Sequence, residues 1–391
     1  MLPILGLCST IGLLMLLFIG GLQLRRLITK RDLSSVSWIS VMGVVVPVAT
    51  GFVILELVDF SIYMGTARHL TALKIVLLIE LAITSIPVIT RIFLDLGLMN
   101  TRLARIVLSV AVIEDVLLYI ALSIALGMAQ AHFKSDASIP HLLGFRPDSA
   151  LFISWHILAS LALLGIAAWG FGGVGAFPQA SGEEKYTGRN IIAMRSPLGW
   201  VLASLLATTS LAMLLGLAPM FGALVAGIIA SNNSHPVFIR AQKQVEAVGT
   251  SFFIPIYFTL IGASLDLIKD FDWKLTFGIL IVGCIVKYGG ALLGGILARE
   301  SLPMANALAI CVNARGGPGL VVASTAFAAG IINPPAYTSL VILAIVTSVV
   351  AGIFLARALQ AKAAIDVIRK EELAACADES KQPVSELVGA H

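Results

Sequence analysis

Charge is what this chain of 391 residues has least of: Asp, Glu, Lys and Arg together make up 12% of it. Hydrophobic residues make up 58%, against roughly 45–50% in a soluble globular domain, and the mean hydropathy is +0.98. That balance excludes an ordinary water-soluble domain. Cysteine is also scarce. Cys8, Cys284, Cys311 and Cys376 are scattered with no CxxC spacing, so they read as packing thiols. The six histidines are dispersed, and no metal site is expected. No GxGxxG run follows a strand-like segment, and no His/Asp or Cys/His set accompanies the acids, so neither an organic cofactor nor an enzyme is expected. The opening "MLPILGLCSTIGLLMLLFIGGLQLRR" lacks a positive leader and a small-residue cleavage site. It reads as a retained helix and not a signal peptide.

What is present is a series of long apolar segments separated by short charged loops. They predict an all-α polytopic membrane protein with about eleven transmembrane helices, near 3–24, 35–59, 70–95, 102–130, 151–173, 196–216, 219–231, 250–267, 274–298, 302–329 and 335–358. Segment 219–231 is short for a full span and needs its flanks or a partly re-entrant path. Of the 26 Lys and Arg, 18 fall on the side of "RRLITKRD" and the C-terminal tail, and six on the other. By the positive-inside rule the N-terminus lies outside and the C-terminus in the cytoplasm. The net charge of +4 follows from that inner-face excess, so no nucleic-acid partner is inferred. Residues 1–358 form the membrane domain; 359–391 read as a helical stub and disordered tail, too short for a nucleotide-binding domain.

Two charges stand where the apolar pattern makes them expensive. In "VLSVAVIEDVLLYIALSIALG", Asp115 lies ten residues past Arg105, roughly 15 Å into a hydrocarbon layer about 30 Å thick. Lys287 is at similar depth on another segment. An acid at mid-depth costs about 2.5–3.5 kcal/mol on insertion scales, so it faces a bundle interior or wet cavity and has partners. Glu114 and Asp115 differ by about 100° around a helix, so one can bind a ligand while the other pairs with Lys287. An ion pair that only holds the bundle together is the plainer reading. Stability alone is a weak reason for three buried ionisable groups, which favours function.

Two segments carry helix breakers at depth. "LLIELAITSIPVITRIF" holds Thr84, Ser85 and Pro87; "AICVNARGGPGLVVAS" holds Asn313, Arg315, Gly316, Gly317, Pro318 and Gly319. Unwound backbone is tolerated in a membrane only where it is buried or lines a cavity, and paired broken helices point to a transporter site. The breaks fall third in segments one to four and third in segments eight to eleven, the layout of an inverted-topology repeat, although no residue-level repeat is visible. Arg315 either neutralises half-helix carbonyls or pairs with a local acid. Glu80 lines the path or a wet mouth; Tyr119, four residues after Asp115, donates to it or fills a helix interface. Gly290 and Gly294 read as a close helix contact.

The order "TSIPVITRIFLDLGLMNTRLARIVLSVAVIEDVLL", "GLAPMFGALVAGIIAS", "SFFIPIYFTLIGASLDL", "VKYGGALLGG" and "NARGGPGLVVA" resembles the monovalent cation:proton antiporter-2 family over most of residues 1–358. The resemblance implies two crossed discontinuous helices in a core, with helices near 70–130 and 274–358, moving elevator-fashion against a dimerisation side made by the rest. It implies H+ and a monovalent cation as substrates and a homodimer in the bilayer. Asp115 matches the ion-binding aspartate; Glu114 stands where some members have a second aspartate. Lys287 matches the lysine of members that move net charge, and Thr84, Ser85 and Asn313 would supply crossover contacts. Gly317 stands where a glutamate commonly follows Arg-Gly, and the chain starts as if lacking two N-terminal helices of the usual thirteen. The expected function is electrogenic Na+ (or Li+)/H+ antiport with Asp115 holding proton or cation in turn, the cation being the only metal. The alternatives are K+/H+ antiport and a non-transporting scaffold or sensor of antiporter descent.

Overall fold

The computed structural model describes residues 2–23, 32–130, 138–146, 149–173, 195–231 and 235–360. The regular elements among them are helices, because apolar runs of this length satisfy their backbone polar groups internally. In chain order they are α1 (Leu2–Gln23), α2 (Leu33–Leu57), α3 (Leu70–Ala82), α4 (Ile86–Asp95), α5 (Arg102–Gln130), the single turn α6 (Ile139–Leu142), α7 (Ala150–Gly173), α8 (Pro197–Leu214), α9 (Pro219–Ser231), α10 (Pro236–Val248), α11 (Ile254–Ala263), α12 (Trp273–Leu297), α13 (Leu302–Val312), α14 (Gly316–Ala328) and α15 (Pro334–Gln360). Nine helices among the described residues, counting α3–α4, α10–α11 and α13–α14 as one each, are long and apolar enough to cross a membrane. Two shorter apolar stretches, Ala150–Gly165 and Pro219–Ser231, occupy the other two expected segments. The tail beyond 360 lies outside the described residues.

Local chemistry sets the ends. Asp272 caps α12 by accepting from the Lys274 and Leu275 amides at 2.9 and 3.1 Å, which satisfies donors that a helix start leaves free. Gly97 ends α4 with φ +70°, and Leu98 N donates back to Phe93 O at 2.8 Å, a glycine-terminated cap. The expected span beginning at 250 differs from what is seen: α10 starts at Pro236 and runs through a wide turn at Gly249–Phe253 into α11. Its first half carries Arg240, Gln242, Lys243, Gln244 and Glu246. Hydropathy detects lipid contact, and this half of the helix is polar.

Two groups of helices pack internally. In one, α1 lies along α9, and α9 against α8; in the other, α2 lies along α12 and packs on α3 and α5. Glycine permits the closest approaches: a Cβ on Gly21 or Gly227 would strike the backbone of the facing helix, and one on Gly290 or Gly294 would come within 2.6 Å of Met42 O or 2.7 Å of the Ile39 Cα. The Gly290–Gly294 contact is thus the close α12–α2 packing expected.

The apolar interior is split. One cluster gathers Ile86, Ile89 and Phe93 with residues 103–112 of α5 and Leu308 of α13. The other gathers Val76, Ile79 and Ile83 with Leu118, Leu122 and Val321. Between residues 112 and 118 of α5, and at both helix breaks, a polar layer separates the two.

Candidate functional site

That layer is built where the two breaks meet. Ile83 and Ser85 are extended, so the backbone groups there seek partners outside their own helix. Ser85 N donates to Ala314 O at 2.6 Å, and Thr84 Oγ1 lies 2.7 Å from Val312 O. Ser85 also caps α4 by accepting from Val88 N, with Pro87 in the first turn where a missing N–H costs nothing. On the other strand of the crossing Gly316 takes φ +42°, and a Cβ there would meet Ser85 Oγ at 2.6 Å. Only glycine fits both demands. Gly317 and Pro318 are buried in the first turn of α14, and a Cβ on Gly317 would make only an ordinary contact, with Phe258 Cζ at 3.9 Å.

Glu114 and Lys287, 173 residues apart, form a fully buried ion pair at 2.8 Å. Glu114 Oε2 also lies 2.6 Å from Thr84 Oγ1. Lys287 spends its other donors on Gly43 O at 3.0 Å and on Ala82 O, so all three ammonium hydrogens are used. Gly43 is a site residue that the sequence reading missed. A Cβ there would lie 2.6 Å from Glu114 Oε1; the only signal in the sequence was a glycine at mid-depth in α2.

Asp115 points elsewhere. It is 6% exposed, and its Oδ1 is buried without a hydrogen-bond partner among the described residues, as is Glu114 Oε1. A buried carboxylate oxygen without a partner is costly unless it holds a proton or meets a cation or water. Tyr119 is buried, makes no hydrogen bond to Asp115 and fills the helix interface, while feeling the Asp115 charge.

Arg315 neutralises carbonyls and does not pair with an acid through hydrogen bonds. Its guanidinium donates to Glu80 O (2.7 Å), Leu81 O (3.2 Å), Gly283 O (2.8 Å), Asn313 O (3.4 Å) and Asn313 Oδ1 (3.2 Å). It thus sits at the carbonyl end of α3, which carries partial negative charge. Asn313 Nδ2 donates to Cys284 O at 3.2 Å, tying the crossing to α12. No group of three or more His, Cys, Asp or Glu able to hold a metal occurs among the described residues.

At the N-terminal ends of α2 and α5 there is a second charged cluster. Arg102 donates to both oxygens of Glu300 at 2.8 and 2.7 Å and to Asp32 Oδ1 at 3.0 Å; Arg105 reaches Asp32 Oδ2 at 3.4 Å, and Ser35 donates to Glu300.

A polytopic helical protein with two breaks crossing at a buried acidic site has the architecture of an ion-coupled carrier. Residues 2–361 match the sodium/hydrogen exchanger transmembrane family, and the chain belongs to that family. It is 25% identical over 353 residues to a Na(+)/H(+) antiporter of Enterococcus hirae, covering 89% of this chain and 83% of that one. It is 23% identical to the Na(+)/H(+) antiporter NhaS4 of Synechocystis, covering 89% and 80%, and 23% identical to K(+)/H(+) antiporter 1 of Saccharomyces cerevisiae, covering 89% of this chain and 38% of that longer one. The fold is similar to that of the sodium proton antiporter MjNhaP1 of Methanocaldococcus jannaschii, with a TM-score of 0.59 at 14% identity over 92% of this chain and 85% of the other.

Proposed function

We propose that the protein is an antiporter exchanging H+ for Na+ (or Li+), with Asp115 as the shared site. The observation that carries this reading is the buried, unpartnered Asp115 Oδ1, with Glu114 Oε1 unpartnered on the preceding residue, in a polar layer between the two apolar clusters. Such a carboxylate is stable when it holds a proton or a partly dehydrated cation, and in neither case is a bond to protein lost. Competition between the two for one oxygen set is what couples their movements. Glu114 stays with Lys287 and Thr84, and the crossing brings peptide carbonyls and amides into the same polar layer.

The exchange moves net charge in this reading, supported by the retained Glu114–Lys287 pair. The helices α3–α5 and α12–α15 form the core that alternates by an elevator motion, α1–α5 and α11–α15 are related as inverted repeats, and the remainder supports a homodimer. The membrane is a bacterial inner membrane, with the N-terminus outside and the C-terminus cytoplasmic. K+/H+ exchange is the second reading, favoured by the likeness to a K(+)/H(+) antiporter.

Reconstitution into proteoliposomes with an imposed cation gradient tests this, internal pH and membrane potential being read together. Asp115→Asn should abolish cation-dependent proton movement; undiminished exchange in that variant refutes the site. Na+, Li+ and K+ tested on the same vesicles decide between the two ion readings.

A further inference from the structure

One buried acid has no part in that site. Glu80 lies at 0% exposure near the end of α3, and neither Oε1 nor Oε2 has a hydrogen-bond partner among the described residues. The nearest positive charge is Arg315, whose guanidinium is already committed to five oxygens, one of them the backbone carbonyl of Glu80 itself. Arg315 can therefore act on the Glu80 carboxyl through its field and not through a bond. Glycine at 319 leaves room for the carboxyl: a Cβ there would lie 3.3 Å from Glu80 Oε2 and 3.3 Å from Ala344. The ionisable groups bearing on it are Arg315 at the crossing and Tyr119 on α5; Lys287 on α12 is turned to Ala82 O, Gly43 O and Glu114.

We infer that Glu80 is a second proton-carrying site of the exchanger, supplying the proton beyond that of Asp115 that makes the exchange electrogenic. This rests on the antiport reading above. The argument is one of bonds and charges. For Lys287 to give up a proton, the contacts to Glu114, Gly43 O and Ala82 O would have to be remade. For Glu80 to do so breaks none, because it makes none. The layer holds two fixed positive charges, Arg315 and Lys287, and three acids, Glu80, Glu114 and Asp115. With all three acids ionised, one bound alkali cation brings it to neutrality. With Asp115 and Glu80 both protonated and the cation gone, it carries one positive charge. The two loaded states thus differ by two protons against one cation. In each turnover the Glu80 O–H breaks, its proton passes to water on the release side, the carboxylate remains in the field of Arg315, and a proton from the opposite side restores the acid.

The test is Glu80→Gln in proteoliposomes, with the potential clamped at zero and the cation gradient varied until proton flux vanishes. Glutamine keeps the size and stays neutral. Exchange should persist but build no potential, and the balancing cation ratio should fall about tenfold per unit of imposed pH difference, the weight of one proton. An unchanged balance point in a variant that still exchanges overturns the inference and leaves the antiport reading standing, as does wild-type exchange that is already electroneutral. Failure of wild type to exchange at all overturns the antiport reading instead. Should the glutamine variant not fold, infrared difference spectra of wild type settle the point: cation binding at acid pH should remove two protonated-carboxyl bands, and loss of a single band overturns the inference.

Discussion

Gly43→Ala puts one methyl group into the charge pair. Its Cβ would fall 2.6 Å from Glu114 Oε1 and 3.6 Å from Lys287 Nζ, whereas carbon and oxygen touch at about 3.3–3.6 Å. The carboxylate must retreat by roughly 0.7 Å or more. Its other oxygen is held by Thr84 at 2.6 Å and Lys287 at 2.8 Å, and a retreat of that size takes the lysine bond to the limit of hydrogen bonding. Overpacking of this kind costs about 1–3 kcal/mol, and weakening a buried charged bond adds to it; we expect about 2–3 kcal/mol in total. Glu114→Asp withdraws the carboxylate by about one carbon–carbon bond, roughly 1.5 Å, and should relieve the clash. Unfolding of wild type, the two single variants and the double variant in detergent micelles measures the coupling. The double variant should be more stable than the sum of the singles by about 1–2 kcal/mol. A Gly43→Ala protein as stable as wild type, or additivity within about 0.5 kcal/mol, would refute the placement of Glu114 against α2.

Other predictions concern the two ends of the bundle. Arg102→Ala removes three donor contacts from Asp32 and Glu300, which are 2% and 7% exposed. It should cost about 2 kcal/mol in the same unfolding assay, less than the ~3–5 for a fully buried pair because Arg102 is itself 22% exposed; no loss would mean that the cluster is spread out in solution. At the opposite end Tyr63 donates to Asp272 at 2.7 Å. That bond holds the Asp272 carboxyl below its ordinary 3.8, and burial together with Asp272 pushes the Tyr63 hydroxyl up to about 12. A lowered acid stabilises above its unfolded value and loses that contribution as pH falls through the folded one. A raised phenol stabilises below its unfolded value of 10.0 and loses that contribution as pH climbs towards 12. The melting-temperature difference between wild type and Tyr63→Phe should therefore be flat at neutral pH, shrink below pH 3.8 and shrink above pH 10.0. A difference that does not vary with pH would exclude the bond.

Much of this arrangement was legible because burying a charge in lipid is costly enough to leave a trace in sequence. Glu114 and Lys287 are far apart along the chain, yet matching depth on two helices was sufficient to bring them together. The breaks were visible as Thr84–Ser85–Pro87 and Asn313–Pro318, since glycine and proline at mid-span have few other uses. Gly43 was invisible because one glycine among the apolar residues of α2 has no pattern; its meaning comes from what faces it. The role of Arg315 was undecided for a similar reason: carbonyls at a helix end are present in every sequence, and only the crossing shows which ones lie within reach. Helix α10 was missed because its exposed polar face looks like a loop to a hydropathy scale. The Asp32–Arg102–Glu300 cluster joins three loop-proximal charges whose meeting depends on how the helices pack.

The glycine at 43 and the lysine bonded to its carbonyl also decide what can travel together. Through Lys287 and Arg315, α2, α3, α5, α12 and the crossing are stitched into a single block. Against α7, α9 and α11 that block is joined by far sparser stitching: Ala218 N to Ser123 Oγ at 3.2 Å, Tyr257 to Ser324 at 2.8 Å, and Ser264 to Tyr337 at 3.0 Å, with Gly127 lying flush beneath Phe152 and His156. A stroke that carries Asp115 across the bilayer would shear along that seam and take α2 with the cargo. Helix α2, counted above with the supporting side, would then travel with the moving part.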